Sequence, residues 1–168
     1  GGPPDGGVLR RLSERMGFFD RTIDIVLATH PDKDHIGGLP DVLERYEVSE
    51  ILMTENKSTT SVDMAFVDKA KAEGAQITYA RRGMQFDLGE GAIFTILFPD
   101  RDPSGLESNM SSIVARLTYG ESEFLFTGDS PKAIEEYLVS LDGNKLHSDV
   151  LKAGHHGSHT SSSKVFLD

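Results

Sequence analysis

The stretch Ile23-Asp24-Ile25-Val26-Leu27-Ala28-Thr29-His30-Pro31-Asp32-Lys33-Asp34-His35-Ile36-Gly37-Gly38-Leu39 passes from an apolar run into a loop crowded with ionisable side chains. Ile23 to Thr29 has the length and β-branched content of a buried strand. Pro40 stands where proline is favoured, at the start of a helix expected to reach Arg45. A strand, a chemically dense loop and a helix in that order form the repeating unit of an α/β protein.

The same alternation continues on both sides. Val8, Leu9, Leu12 and Met16 share one face of an expected helix that Gly17 stops. Downstream come a strand at Ile51 to Thr54, a helix at Ser61 to Glu73 with Val62, Phe66 and Ala70 inward, and a strand at Ile77 to Ala80. The β-α-β-α-β order predicts parallel pairing for this half, because parallel neighbours need a crossover. Met84 to Leu88, Ala92 to Phe98, Ser112 to Tyr119 and Glu123 to Thr127 are then expected strands, two of the links being Gly-containing turns, which predicts an antiparallel half. Ser130 is expected to cap, and Pro131 to open, a helix to about Leu141, before a last strand from Asp149 to Ala153.

The 168 residues correspond to one domain, residues 1–168, at roughly 150 residues per domain. Zero cysteines exclude a disulfide framework, a thiolate zinc knuckle and a cysteine nucleophile, so a metal here must be held by His and carboxylates. The longest apolar run, Ala92 to Phe98, is far short of the roughly 20 residues a membrane span needs. A net charge of −10, from 27 acids against 17 bases, argues against broad adhesion to nucleic acid or anionic lipid. It is equally the charge of a soluble acidic surface. Gly1-Gly2 at the start and the apolar Val165-Phe166-Leu167 near the end predict a piece of a longer protein.

Chemistry concentrates in three places. In the first loop His30, Asp32, Asp34 and His35 offer four donors within six residues, and chance yields such an H-x-D-x-D-H pattern in this composition with probability on the order of 0.002. Carboxylates mixed with imidazoles suit Zn²⁺, Mn²⁺ or Fe²⁺. If the chain leaves the strand extended, His30 and Asp32 point the same way, while Gly37 and Gly38 allow a path that a side chain would block. The bland alternative is a solvated polar loop. The second place is Phe124-Leu125-Phe126-Thr127-Gly128-Asp129, which sets a carboxylate at the C-terminal end of a strand, where α/β sheets bind ligands. Read alone, Asp129 is an ordinary first-turn acid. The third is Leu151-Lys152-Ala153-Gly154-His155-His156-Gly157-Ser158-His159-Thr160. Adjacent residues of an extended loop point oppositely, so one of the two histidines, His155, is the expected ligand, with His156 held back or facing substrate. Ser158, Thr160 and Ser161 to Ser163 form a hydroxyl and amide set suited to an anion; the alternative is a Ser-rich helix cap.

These motifs, in this order, resemble the metallo-β-lactamase superfamily, and within it the C-terminal domain of the ComEC family of DNA-uptake competence proteins. Thr29 to Leu39 looks like the first metal motif, Thr127-Gly128-Asp129 like the bridging aspartate, and Gly154-His155-His156-Gly157-Ser158 like the last histidine motif. Asp32 in place of a more usual His, Ser108-Asn109-Met110-Ser111-Ser112, and Val150 to Ser158 carry the ComEC likeness. The resemblance implies an αββα sandwich of two mixed sheets flanked by helices, truncated here at both ends. It implies a hydrolase using one or two divalent ions, Zn²⁺ or Mn²⁺, on DNA, single-stranded DNA above all, during uptake. Carried over, His30 and Asp32 serve one ion, Asp34, His35 and His155 the other, and Asp129 bridges. Asp34 and His156 are the candidate catalytic residues; Lys33, Asn109, Lys152, Ser158, His159 and Thr160 are candidates for contacting phosphate.

There are two departures. No histidine lies between His35 and His147, so the superfamily's intervening ligand is missing, and Ser108 or Asn109 is the candidate replacement. A strand expected before Gly1, and a strand and a loop expected after Asp168, are not in the sequence. The resemblance further implies a parent in the cell membrane with this domain outside the cytoplasm, and no protein partner is inferred from it. Two other readings stay open: a hydrolase of a lactam, thioester or small phosphodiester, and a metal- or DNA-binding domain without turnover.

Overall fold

The computed structural model describes residues 1–56, 58 and 60–168. It is organised as two compact units, Gly1–Tyr79 and Ala80–Asp168. The first contains α1 (Gly7–Arg15), β1 (Thr22–Ala28), α2 (Lys33–Ile36), α3 (Leu39–Leu43), β2 (Glu47–Met53), α4 (Ser61–Ala72) and β3 (Gln76–Tyr79). Its three strands form one sheet in the order β1-β2-β3, parallel throughout, with Val26 beside Ile51 and Ile51 beside Ile77. Crossovers through α2 and α3, and then α4, make the parallel pairing possible. Ala28, Ile51 and Met53 from the sheet pack with Ile36, Leu39, Leu43, Phe66 and Ala70 from the helices.

The second unit holds β4 (Gln85–Asp87), β5 (Ala92–Phe98), β6 (Val114–Tyr119), β7 (Ser122–Phe126), α5 (Lys132–Asp142), β8 (Val150–Lys152) and α6 (Lys164–Leu167). Five strands follow in spatial order β4-β5-β6-β7-β8, antiparallel except for β8, which joins β7 in parallel after the α5 crossover. Leu97, Phe98, Val114 and Leu125 pack with Ile134 and Leu138 of α5 and with Leu146. The α/β class with two helix-flanked sheets is therefore as expected, and of the two sheets the second is the mixed one.

Several local expectations need correction. β2 begins at Glu47, four residues before Ile51, because its first half pairs with β1, Thr22 beside Glu47 and Ile23 beside Val48, although only Val48 there is buried. Ser130 does not cap α5: its hydroxyl is buried with no hydrogen-bond partner among the described residues, and Pro131 occupies the cap position. The expected strand at Ser112 starts at Val114, since the amide of Ser112 closes a short 3-10 turn over Asn109–Ser111. Gly37 and Gly38 both have ordinary right-handed helical angles. What they provide is closeness: a Cβ on Gly37 would stand 2.4 Å from the Lys33 carbonyl oxygen and 2.6 Å from Cδ of Pro4, and one on Gly38 2.5 Å from the Gly1 carbonyl oxygen.

Candidate metal centre

In the first unit the donors gather where β1 ends. His30 is buried at 1% exposure, and its Nδ1 lies 3.1 Å from the Thr29 hydroxyl. The chain does not stay extended beyond Asp32. Asp32 instead sits at the N-cap of α2, its carbonyl accepting the amides of His35 at 2.9 Å and Ile36 at 3.0 Å, while its carboxylate makes no cap bond. That carboxylate is 3.8 Å from His30 Nε2, so the expectation that His30 and Asp32 point the same way holds. The single turn of α2 also brings Asp34 within 3.6 Å of His35 Nε2, and the rings of His30 and His35 lie 4.1 Å apart.

In the second unit β7 delivers Asp129 through Gly128, whose φ of 56° favours a residue without a side chain. Asp129 is 2% exposed, and its amide donates to Ser112 Oγ at 3.1 Å. The hydroxyl thus links Asp129 to the turn bearing Asn109, whose buried Oδ1 accepts no hydrogen bond among the described residues. Both later histidines approach the same carboxylate oxygen: Asp129 Oδ2 is 3.8 Å from His155 Nε2 and 3.4 Å from His156 Nε2. The alternation expected for an extended loop fails because His155 and His156 have φ of 46° and 53°, in the left-handed region. Two consecutive left-handed residues turn both rings to one side, at a cost of order 1–3 kcal/mol each that surrounding contacts must offset.

The separations between imidazole nitrogen and carboxylate oxygen are 3.4 to 3.8 Å, beyond the 2.7–3.2 Å of an N–H···O bond. Two atoms each about 2.1 Å from one tetrahedral ion stand about 3.4 Å apart. The donor chemistry and these spacings fit a divalent metal, and His30, Asp34, His35, Asp129 and His156 each offer a suitable ligand atom.

The remaining candidates are placed as follows. Lys33 is exposed on α2, and His159 is exposed in the last loop. The Lys152 ammonium donates to the carbonyls of Gly128 and Ala153, each at 3.3 Å. Ser158 and Thr160 bond to each other at 3.0 Å, and the Thr160 hydroxyl is 3.0 Å from His155 Nδ1. The expected anion cradle at Ser161 to Ser163 is overturned: the amides of Ser162 and Ser163 each donate at 2.7 Å to the carboxylate of Glu135, an anion supplied by the chain itself. Sequence reading passed over Glu135; the only available signal was an acid on the face of α5 that also carries Ile134 and Leu138.

The model of the metallo-beta-lactamase superfamily matches residues 1–168. This chain belongs to the metallo-beta-lactamase superfamily. It is 29% identical over 147 residues to "ComE operon protein 3" of Bacillus subtilis, and 33% identical over 148 residues to "Competence protein ComA" of Neisseria gonorrhoeae. Each alignment covers 88% of this chain and 19% of the relative, so the chain spans about a fifth of the length of either. Among solved structures, CmlA, a diiron beta-hydroxylase from Streptomyces venezuelae, superimposes with a TM-score of 0.50 at 20% identity, over 84% of this chain and 27% of that one. That likeness is one of fold. As a superfamily member with these donors, the chain has the framework of a metal-dependent hydrolase.

Proposed function

We propose that this chain is the metal-dependent phosphodiesterase part of a competence protein and that it cleaves DNA during uptake. The observation that carries the reading is the spacing of imidazole nitrogens and carboxylate oxygens at 3.4 to 3.8 Å in the loops that match the superfamily's metal motifs. The names of the competence relatives support DNA as the substrate. In this reading His30, Asp32, Asp34, His35, Asp129 and His155 are the residues that would hold the one or two ions. Asn109, with its unpartnered amide oxygen, stands in for the missing histidine.

A divalent ion, when bound, supplies Lewis acidity that brings the pKa of a water near 7 and offsets the charge of a phosphodiester. The chain's own groups do the rest. Asp34 orients the attacking water, and His156, more than half exposed beside Asp129, is placed to pass a proton to the leaving oxygen. Lys33 and His159, exposed near the ligands in sequence, hold phosphate oxygens, as does Lys152 if it leaves its two carbonyl acceptors. No helix among the described residues is long and apolar enough to cross a membrane. A membrane-bound parent carrying this domain outside the cytoplasm is part of the same proposal.

The test is hydrolysis of a labelled single-stranded oligonucleotide in Mn²⁺ and in Zn²⁺ by the wild type and by the Asp34→Ala/His35→Ala double variant. Metal-dependent cleavage that the double variant loses by at least 100-fold is expected. Unchanged cleavage by the variant overturns the assignment. Tight metal binding without cleavage of any DNA favours a binding domain instead.

A further inference from the structure

The carboxyl of Glu135 has no place in the reaction just described, although it is 1% exposed and a buried polar group needs hydrogen-bond partners. Its two oxygens are satisfied separately, Oε1 by the amide of Ser162 and Oε2 by the amide of Ser163, each at 2.7 Å. Charge-assisted bonds of this length are strong and directional. They hold a stretch in which Ser162 has a φ of 61°, unfavourable for a residue with a Cβ. The same stretch is tied to the start of α5 at two further points: the Ser161 hydroxyl donates to the Ser130 carbonyl at 2.7 Å, and the Lys132 amide to the Thr160 carbonyl at 3.0 Å. Thr160 is thereby fixed against the helix.

What Thr160 touches gives the brace a purpose. Its hydroxyl oxygen lies 3.0 Å from Ser158 Oγ and 3.0 Å from His155 Nδ1, and its amide donates to Ser158 Oγ at 3.3 Å. With the Thr160 proton directed to Ser158, the same oxygen accepts from Nδ1–H of His155, which leaves the lone pair on Nε2, the nitrogen 3.8 Å from Asp129 Oδ2. The main chain of His155 is anchored independently, its amide donating to the Gly128 carbonyl at 3.2 Å.

We infer that Glu135 and Thr160 are positioning residues: the buried carboxylate clamps the Ser162 and Ser163 amides so that the Thr160 hydroxyl fixes the tautomer and ring direction of His155. This goes beyond the proposed function and rests on it only for the use to which Nε2 is put. Without the brace a ring in two tautomers and several orientations offers a lone pair at the right place for part of the time. Loss of such an outer partner typically weakens metal affinity 10- to 100-fold.

The experiment reads the metal-free protein first. Long-range ¹H–¹⁵N correlation spectra of the histidine rings, at a pH where they are neutral, report which nitrogen of His155 bears the proton. The wild type is expected in the Nδ1–H form. Thr160→Val, nearly isosteric and at an exposed position, is expected to shift His155 toward the Nε2–H form, and Thr160→Ser to restore it. Glu135→Gln, which can accept only one of the two amides, is expected to behave as Thr160→Val while amide dispersion shows that it remains folded. Calorimetric titration with Zn²⁺ should then show 10- to 100-fold weaker binding for Thr160→Val and Glu135→Gln, and near wild-type binding for Thr160→Ser. An Nε2–H ring in the wild type, or a tautomer that Thr160→Val leaves unmoved, overturns the inference. A tautomer unmoved in folded Glu135→Gln removes Glu135 from it. If the tautomers behave as stated and the wild type binds no Zn²⁺ or Mn²⁺, the metal reading fails and the positioning stands.

Discussion

Asp63 shows how a single side chain can record the balance between burial and hydrogen bonding. It lies in the first turn of α4, 5% exposed, with one oxygen accepting the Ser58 amide at 3.1 Å and the other buried with no hydrogen-bond partner among the described residues. Burial pushes its pKa above the ordinary carboxylate value of 3.8, and the Ser58 bond only partly opposes this. A carboxyl with a raised folded-state pKa holds its proton more tightly folded than unfolded. Its contribution is therefore most favourable below 3.8 and is lost as pH rises through the folded value. Asp63→Asn mimics the protonated form. Denaturant melts at pH 4 and pH 7 should show the variant gaining on the wild type as pH rises. A difference in stability that is the same at both pH values contradicts the assignment. At His155 and His156 the lesson is about backbone: the residue types are those of a ligand pair, but the left-handed angles that bring both to Asp129 have no signature in two adjacent histidines.

The strands and helices were legible wherever hydrophobic period decided them. β5 spans Ala92–Phe98 as expected, and the parallel character of β1 to β3 follows from the helices between them. Legibility failed where tertiary contacts overrode local pattern. The helical turn of α2 has no clear signal in sequence, because four ionisable residues and a proline look like coil, and it is the carbonyl of Asp32 accepting two amides of that turn that closes it. The candidate ligand residues are named by the resemblance, through residue type and spacing. Glu135 was not, since its partners are amides 27 and 28 residues away. At Gly37 a side chain is blocked by close packing rather than by backbone angle, and a prediction follows. A methyl at Gly37 would press on the Lys33 carbonyl oxygen at 2.4 Å and on Pro4 at 2.6 Å, so Gly37→Ala must displace the N-terminal segment or α2. Overpacking of this kind costs about 1–3 kcal/mol. Thermal melts should show that loss despite alanine's better helix propensity. An unchanged or raised melting temperature means the N-terminal segment does not pack there.

For the chain as a whole, the net charge of −10 and the donor spacings both bear on how metal and stability are linked. An ion that binds only the folded state should stabilise it by mass action. At 100 times the dissociation constant this amounts to about 2.7 kcal/mol. For a chain of this size it corresponds to about 5–10 °C in melting temperature. Calorimetry with Zn²⁺ or Mn²⁺ should show that rise, reversed by a chelator and absent in the Asp34→Ala/His35→Ala variant. An equal rise in the variant locates the stabilising ion elsewhere. The most direct measurement is anomalous scattering above and below the Zn and Mn edges from crystals of this chain grown with each ion. One or two peaks are expected within about 2.0–2.2 Å of ligand atoms drawn from His30, Asp32, Asp34, His35, Asp129 and His155. Crystals in which the ion is ordered only at other side chains, with these histidines hydrogen-bonded to protein groups instead, contradict the metal centre outright.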